Sequence, residues 1–199
     1  TLGAMQRQIE ELKTLSDTGR AERYRKYFDA MMPDKVTPET LLAILRALLE
    51  ERISIRNLPL IVDAICEFRN VESAETIYEL VRKRLRGQIT QQYSDEAGRV
   101  AALQLHPAWE AEFVRADAET GRAGGGAMTP AMSKKLVEAT RRALSLAEPV
   151  ARTVLVAPDH RRRMVRAVLG ANGMAVPVLG LEEIDPAAEL RLLGTVEAA

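Results

Sequence analysis

The chain has 199 residues, enough for one domain or two small ones with a real core. Its 28 Lys and Arg balance 28 Asp and Glu, and a formal net charge of zero argues against a dedicated nucleic-acid binder, whose affinity comes mainly from neutralising phosphates. Cys66 is the only cysteine, and His106 and His160 are the only histidines. An internal disulfide and a cysteine-rich zinc site are therefore excluded, and a multi-histidine metal site is poorly supplied.

The opening Thr1-Leu2-Gly3-Ala4 has no initiator methionine, basic n-region or apolar h-region, so the expectation is a piece of a longer chain. No run reaches the roughly 18 apolar residues that span a bilayer. Met5, Ile9, Leu12 and Leu15 then recur at helical spacing, and Ser16-Asp17-Thr18-Gly19 breaks the stripe. Arg20 to Met32 reads as a second helix, closed by Pro33-Asp34. Thr37-Pro38-Glu39 is a helix start: a capping hydroxyl, proline in the first turn and an acid near the positive end of the dipole. The next helix places Leu41, Leu42, Ile44, Leu45, Leu48 and Leu49 on a broad apolar face. Ile53-Ser54-Ile55 forms a short extended link, Asn57 caps another helix, and Ser73 caps a last one with Ile77, Leu80, Val81, Leu85 and Ile89 inward.

After about residue 97 the pattern changes. Val100 to Leu105 reads as a strand ended by His106-Pro107, and Ala108 to Asp117 as a short helix with Trp109 and Phe113 on one face. The glycine-rich Gly121 to Gly126 is a connector leading to a brief strand at Ala127-Met128, and Thr129-Pro130 opens another helix. Thr153 to Val156, Val176 to Leu179 and Glu189 to Val196 read as strands. The predicted architecture is a mixed α+β and α/β chain: an N-terminal helical subdomain over 1–96, then a small C-terminal α/β sandwich over 97–199.

The helix over 158–169 opens on His160 and three arginines, which raises the question of an anion site. Phosphate-binding turns need glycines so that backbone amides can approach the anion. Between Val156 and Arg161 there is no glycine, lysine or hydroxyl side chain, and Asp159 would repel an anion. Met164, Val165, Ala167 and Val168 supply the apolar side, which leaves Arg162, Arg163 and Arg166 near the opposite face. That face is either solvated or a protein contact, and both readings stand. Gly121 to Gly126 lacks the Gly-Lys-Ser/Thr ending of a P-loop. Arg82, Lys83, Arg84 and Arg86 either offset a helix dipole or meet an acidic partner or anionic headgroups. Cys66, His106 and Trp109 belong to no recognisable nucleophile motif, and Glu182, Glu183 and Asp185 read as a solvated turn. No catalytic, metal or cofactor-binding residue is assigned, and the chain is not expected to be an enzyme.

The stretch LLAILRALLEERISIRNLPLIVDAI, residues 41 to 65, resembles the cytoplasmic part of the type III secretion export-gate family, the FlhA/InvA-like proteins. That family shows a leucine-rich helix, an acidic residue, Arg or Gly, an Ile/Val-x-Ile segment, Arg-Asn or Arg-Asp, and another helix. Glu51-Arg52-Ile53 and Arg56-Asn57 look more like the injectisome branch than the flagellar one. Asp159-x-Arg161-Arg162, Arg166, Val176-Pro177-Val178-Leu179, Glu182-Glu183-Ile184 and Leu192-Leu193-Gly194-Thr195-Val196 resemble the family's closing segment. Departures are Arg163, where the family often has an aromatic residue, and residues 13 to 36, which match poorly.

The resemblance implies a ring of copies, nonameric in the full-length protein, on the cytoplasmic face of the bacterial inner membrane. It also implies docking of chaperone–substrate complexes, gatekeeper and other secretion-apparatus proteins, with membrane contact only through the missing N-terminal half and none with nucleic acid. On this reading, Arg161, Arg162 and Arg166 are expected to meet, on the next copy, an acidic surface bearing Glu110, Glu112, Asp117 and Glu119. Two rivals remain. One is an RNA- or nucleotide-binding α/β domain using the arginine clusters, and the other is a small transferase or hydrolase with a site between the halves.

Overall fold

The computed structural model describes residues 36–68, 71, 73–120, 128–148 and 152–198. The helices expected over 5–15 and 20–32, the connector 121–126 and Ala127 lie outside the described residues. Met128 is in no strand, and its side chain packs on the core of the second unit. The chain divides into two compact units, Thr1–Arg84 and Leu85–Ala199.

In the first unit, α1 (Pro38–Glu50) starts as the sequence dictates: the Thr37 hydroxyl accepts from the Thr40 amide at 3.2 Å, with Pro38 in the first turn. Leu41, Ile44, Leu45 and Leu48 form its buried face. Its end is a two-bond cap in which the Arg52 amide donates to Leu49 at 2.9 Å and the Ile53 amide to Leu48 at 2.8 Å. That geometry needs a left-handed residue between helix and exit, and Arg52 supplies it at φ 60°. Next come α2 (Leu58–Glu67) and α3 (Ala74–Arg84). Asn57 stands at the start of α2 without a side-chain cap bond, whereas the Ser73 hydroxyl accepts from the Thr76 amide at 3.3 Å. Arg82 is buried: its Nη1 donates to Glu51 at 2.9 Å and to the Tyr78 hydroxyl at 3.1 Å, which itself donates to the Ala47 carbonyl. One member of the basic cluster at 82–86 is therefore an internal strut tying α3 to the end of α1.

The single helix expected from Ser73 through Ile89 breaks at Leu85, and α4 (Arg86–Tyr93) begins beyond it. Gly87, a poor helix former, comes just after the break. The units divide at this point, earlier than the 96/97 boundary expected from the sequence. The physical reason is that α4 is bonded to later segments of its own unit. The Thr90 hydroxyl accepts from the Asp185 amide at 2.8 Å, and Ser94 bridges to Val100.

The second unit is built on β1 (Arg99–Leu105), β2 (Val154–Ala157), β3 (Val178–Gly180) and β4 (Glu189–Val196), an all-parallel sheet in the order β3-β2-β1-β4. Helices α5 (Ala108–Thr120), α6 (Pro130–Leu146) and α7 (Asp159–Ala171) cover one face. There Leu103, Leu105, Leu155, Val178 and Val196 meet Trp109, Phe113, Leu136, Val165 and Leu169. Thr129 caps α6, its hydroxyl accepting from the Met132 amide. Between β1 and β4 the register slips: Ala102 opposes Leu192 and Leu103 opposes Gly194, so Leu193 is an extra residue. The bulge turns Leu193 to the core while Leu192 stays on the other face.

Candidate protein-docking groove

Strand alternation puts Ala102, Gln104, Val154, Val156, Leu190 and Leu192 on the face of the sheet away from α5, α6 and α7. Toward the carboxyl ends of the strands this face opens into a groove of about 380 Å³. It is lined by Gln104 and Val156 of the central strands, by Leu181 just beyond β3, by Leu190 and Leu192 of β4 at the other edge, and by His106, Glu110 and His160. Leu181, Leu190 and Leu192 are 59%, 43% and 57% exposed, so large apolar side chains face solvent along this groove. The carboxyl-end crevice of a parallel sheet is where α/β proteins place their ligands.

The side of the groove formed by α5 and α7 is held by charge. Arg161 is buried, and its Nη2 donates to Glu110 at 2.8 Å while its Nη1 donates to Asp117 at 2.8 Å. Its guanidinium lies 5.5 Å over the Phe113 ring, which stacks on Trp109 with centroids 5.7 Å apart. The Trp109 indole N–H donates to the Val196 carbonyl at 2.9 Å and so pins the end of β4. Hydrogen bonding from Arg161 holds the Glu110 carboxyl below the usual carboxylate range, against the opposing effect of burial and with help from His160. A carboxylate so stabilised stays ionised near neutral pH and acts as a strut, the wrong poise for donating a proton.

The turn carrying Leu181 is set by a second buried group. Arg162 Nε stands 3.4 Å from Glu183 Oε1, and Glu183 Oε2 accepts from the Gly180 amide at 3.1 Å. Asp159 accepts from the Glu182 amide at 3.2 Å, across a position where a Cβ on Gly180 would overlap the carboxylate.

The expected arginine face is therefore corrected. Arg161 and Arg162 point inward with Val165 and Leu169, Arg163 is exposed and Arg166 half-buried, while Ala167, assigned to the apolar side, is exposed. Two of the acids expected to receive Arg161 from a neighbouring copy, Glu110 and Asp117, receive it within this chain. Glu112 faces Arg115 and, at 3.6 Å, Lys135. The Glu119 side chain lies outside the described residues. The three leucines that line the groove escaped the sequence reading. For two of them the signal was the two-residue alternation of Leu190 and Leu192 in a segment read only as a strand.

A smaller hollow of about 260 Å³ at the amino ends of the strands gathers Arg99, Arg152 and Arg191 with Asp95 and Glu96. Arg99 closes on Asp95 and Arg191 on Glu148, leaving little net charge for an anion. Among the described residues no cluster of His, Cys, Asp and Glu is arranged to hold a metal, and no helix is long and apolar enough to cross a membrane.

The FHIPEP family model matches residues 5–189. The flagellar biosynthesis protein FlhA of Caulobacter vibrioides is 28% identical over 177 residues, 88% of this chain and 25% of its own length. The low calcium response locus protein D of Yersinia pestis is 26% identical over 155 residues, 77% of this chain and 22% of its own length. The chain thus spans about a quarter of these relatives, and the flagellar and low-calcium-response proteins match it to similar extents. Among solved structures, a nonameric SctV-C from EPEC aligns with a TM-score of 0.75 at 23% identity, covering 94% of this chain and 56% of that one. The Chlamydia pneumoniae CdsV in complex with CdsO aligns at 0.71 and 23%, covering 94% and 57%.

Proposed function

The chain belongs to the FHIPEP family, and on that premise we propose that it is a piece of the cytoplasmic part of a type III export gate. It assembles with further copies into a ring beneath the inner membrane and docks chaperone–substrate and gatekeeper complexes for ordered export. It works by offering shaped surface to other chains and makes or breaks no covalent bond. The family match, running over nearly the whole sequence, carries this reading. Support for the ring comes from the likeness to a nonameric SctV-C, and support for partner docking from the likeness to a CdsV that binds CdsO. The open apolar groove on a rigid α/β frame suits a docking role, since recognition concentrates on a few desolvated side chains.

Ring contacts between copies are heterologous, one face against a different face of the next. Arg161 and Arg162 are interior, so any contact between copies through α7 involves its more exposed side, where Arg163 and Arg166 lie.

The test is capture of purified export chaperones, encoded with the secretion apparatus, on the immobilised chain. Retention of cargo-loaded chaperones is the expected result. Retention of labelled single-stranded RNA alone, weakening steeply with salt, would overturn the reading in favour of a nucleic-acid-binding domain.

A further inference from the structure

We propose that the outer edge of β4, with the groove beside it, takes an extended segment of a partner protein as a fifth strand. The segment's alternate residues are apolar and its flanking residues basic. The proposal deepens the docking reading and rests on it.

The sheet order leaves β4 at an edge, and among the described residues its ladder bonds run only to β1. In a parallel ladder alternate residues aim both main-chain groups at the same neighbour, so the others on β4 aim theirs outward. Folded proteins usually blunt such edges by making them short, by placing proline there or by covering them. The opposite edge, β3, obeys that rule with three residues. By contrast β4 has eight residues and no proline, and its first four are exposed. An incoming strand would satisfy those main-chain groups, whereas a helix laid in the groove would leave them to water.

Side chains and charge specify the occupant further. Leu190 and Leu192 project on the groove side at the spacing of two that an added strand would match with its own alternate residues. Glu189 opens β4 and Glu197 follows its last residue; both side chains are exposed, Glu197 with His106 3.9 Å away. The nearby arginines are already spent, Arg161 on Glu110 and Asp117, and Arg191 on Glu148. The border is acidic, and basic flanks on the partner complement it.

The experiment measures fluorescence anisotropy of a short labelled peptide of alternating lysine and valine, titrated with the whole chain. Controls are a glutamate–valine counterpart and a lysine–valine peptide N-methylated at alternate residues, which cannot donate to an edge. Saturable binding of the first peptide is expected, with a loss of about tenfold or more for either control. A similar loss is expected for Leu190→Lys or Leu192→Lys chains whose melting temperature is unchanged. Equal binding of the N-methylated peptide, indifference to the leucine substitutions, no binding at all, or self-association of the chain through the same leucines would each overturn the proposal. If the peptide fails while loaded chaperones are still captured, strand docking falls and the export-gate reading stands. If chaperones fail while the peptide binds, the export-gate reading falls alone.

Discussion

Arg161 stands between Glu110 and Asp117 and covers Phe113, so one side chain joins α7 to α5 by charge and by packing. Replacing it with methionine keeps much of the stem but leaves two carboxylates facing each other. The expected loss is about 2–3 kcal/mol in urea unfolding, below the about 3–5 kcal/mol of a fully buried pair because Glu110 keeps some contact with water. The pH dependence has a definite sign. Glu110 binds its proton less tightly folded than unfolded, so its contribution is fully present above the unfolded carboxylate value of about 4.3 and is lost as pH falls through the lower folded value. Acid titration of the unfolding midpoint should therefore show a fall in that window, shallower in a Glu110→Gln chain. Arg52 makes a different point. Its left-handed backbone costs most other side chains about 1–2 kcal/mol and costs glycine nothing. Arg52→Gly should lie within about 1 kcal/mol of the parent, whereas Arg52→Val should lose about 1–2 kcal/mol; equal melts would refute the account.

The turn from β3 into Leu181–Glu183 shows how an element depends on what is missing from a residue. Gly180 leaves room for the Asp159 carboxylate, which accepts from the Glu182 amide. Gly180→Ala is expected to lower stability by about 1–3 kcal/mol, and a second change, Asp159→Ala, to restore part of it. A melt of the double variant no better than the single one would refute the steric argument. Elements were legible where local chemistry decides them. The Thr-Pro starts of α1 and α6 and the apolar runs of β1 and β2 could be read because caps and burial act over a few residues. The inward arginines of α7 were also present in the pattern, since 161, 162, 165 and 169 form one helical stripe. They were misread because charge suggests water unless the partner is known, and Glu110 lies 51 residues away in sequence. Leu85 was read as mid-helix because its burial matches the helical period, although the chain turns there.

At the scale of the whole molecule, a net charge of zero conceals how the charges are used: Arg82, Arg161 and Arg162 are interior struts and contribute little to the surface field. The division at Arg84/Leu85 gives each unit its own buried side chains, as expected of pieces that fold separately. Residues 85–199 produced alone should therefore give a cooperative thermal transition with native near-ultraviolet dichroism. A fragment starting at 97 should melt lower, because it lacks the Thr90 hydroxyl that receives the Asp185 amide. Equal melting of the two fragments would place the boundary later than the contacts do. The contact between copies proposed for α7, on the side of Arg163 and Arg166, belongs to this scale as well. Charge reversal there, to Glu, is expected to reduce ring mass in the full-length protein while the monomer melt stays unchanged.

The single surplus residue at Leu193 works as a mechanical clutch within β4. Upstream of it the four exposed side chains can be exchanged without shifting the residues that face the interior. Downstream, the tryptophan-latched tail keeps its seating regardless. Selection can thus retool the outer half of one strand without disturbing the inner half.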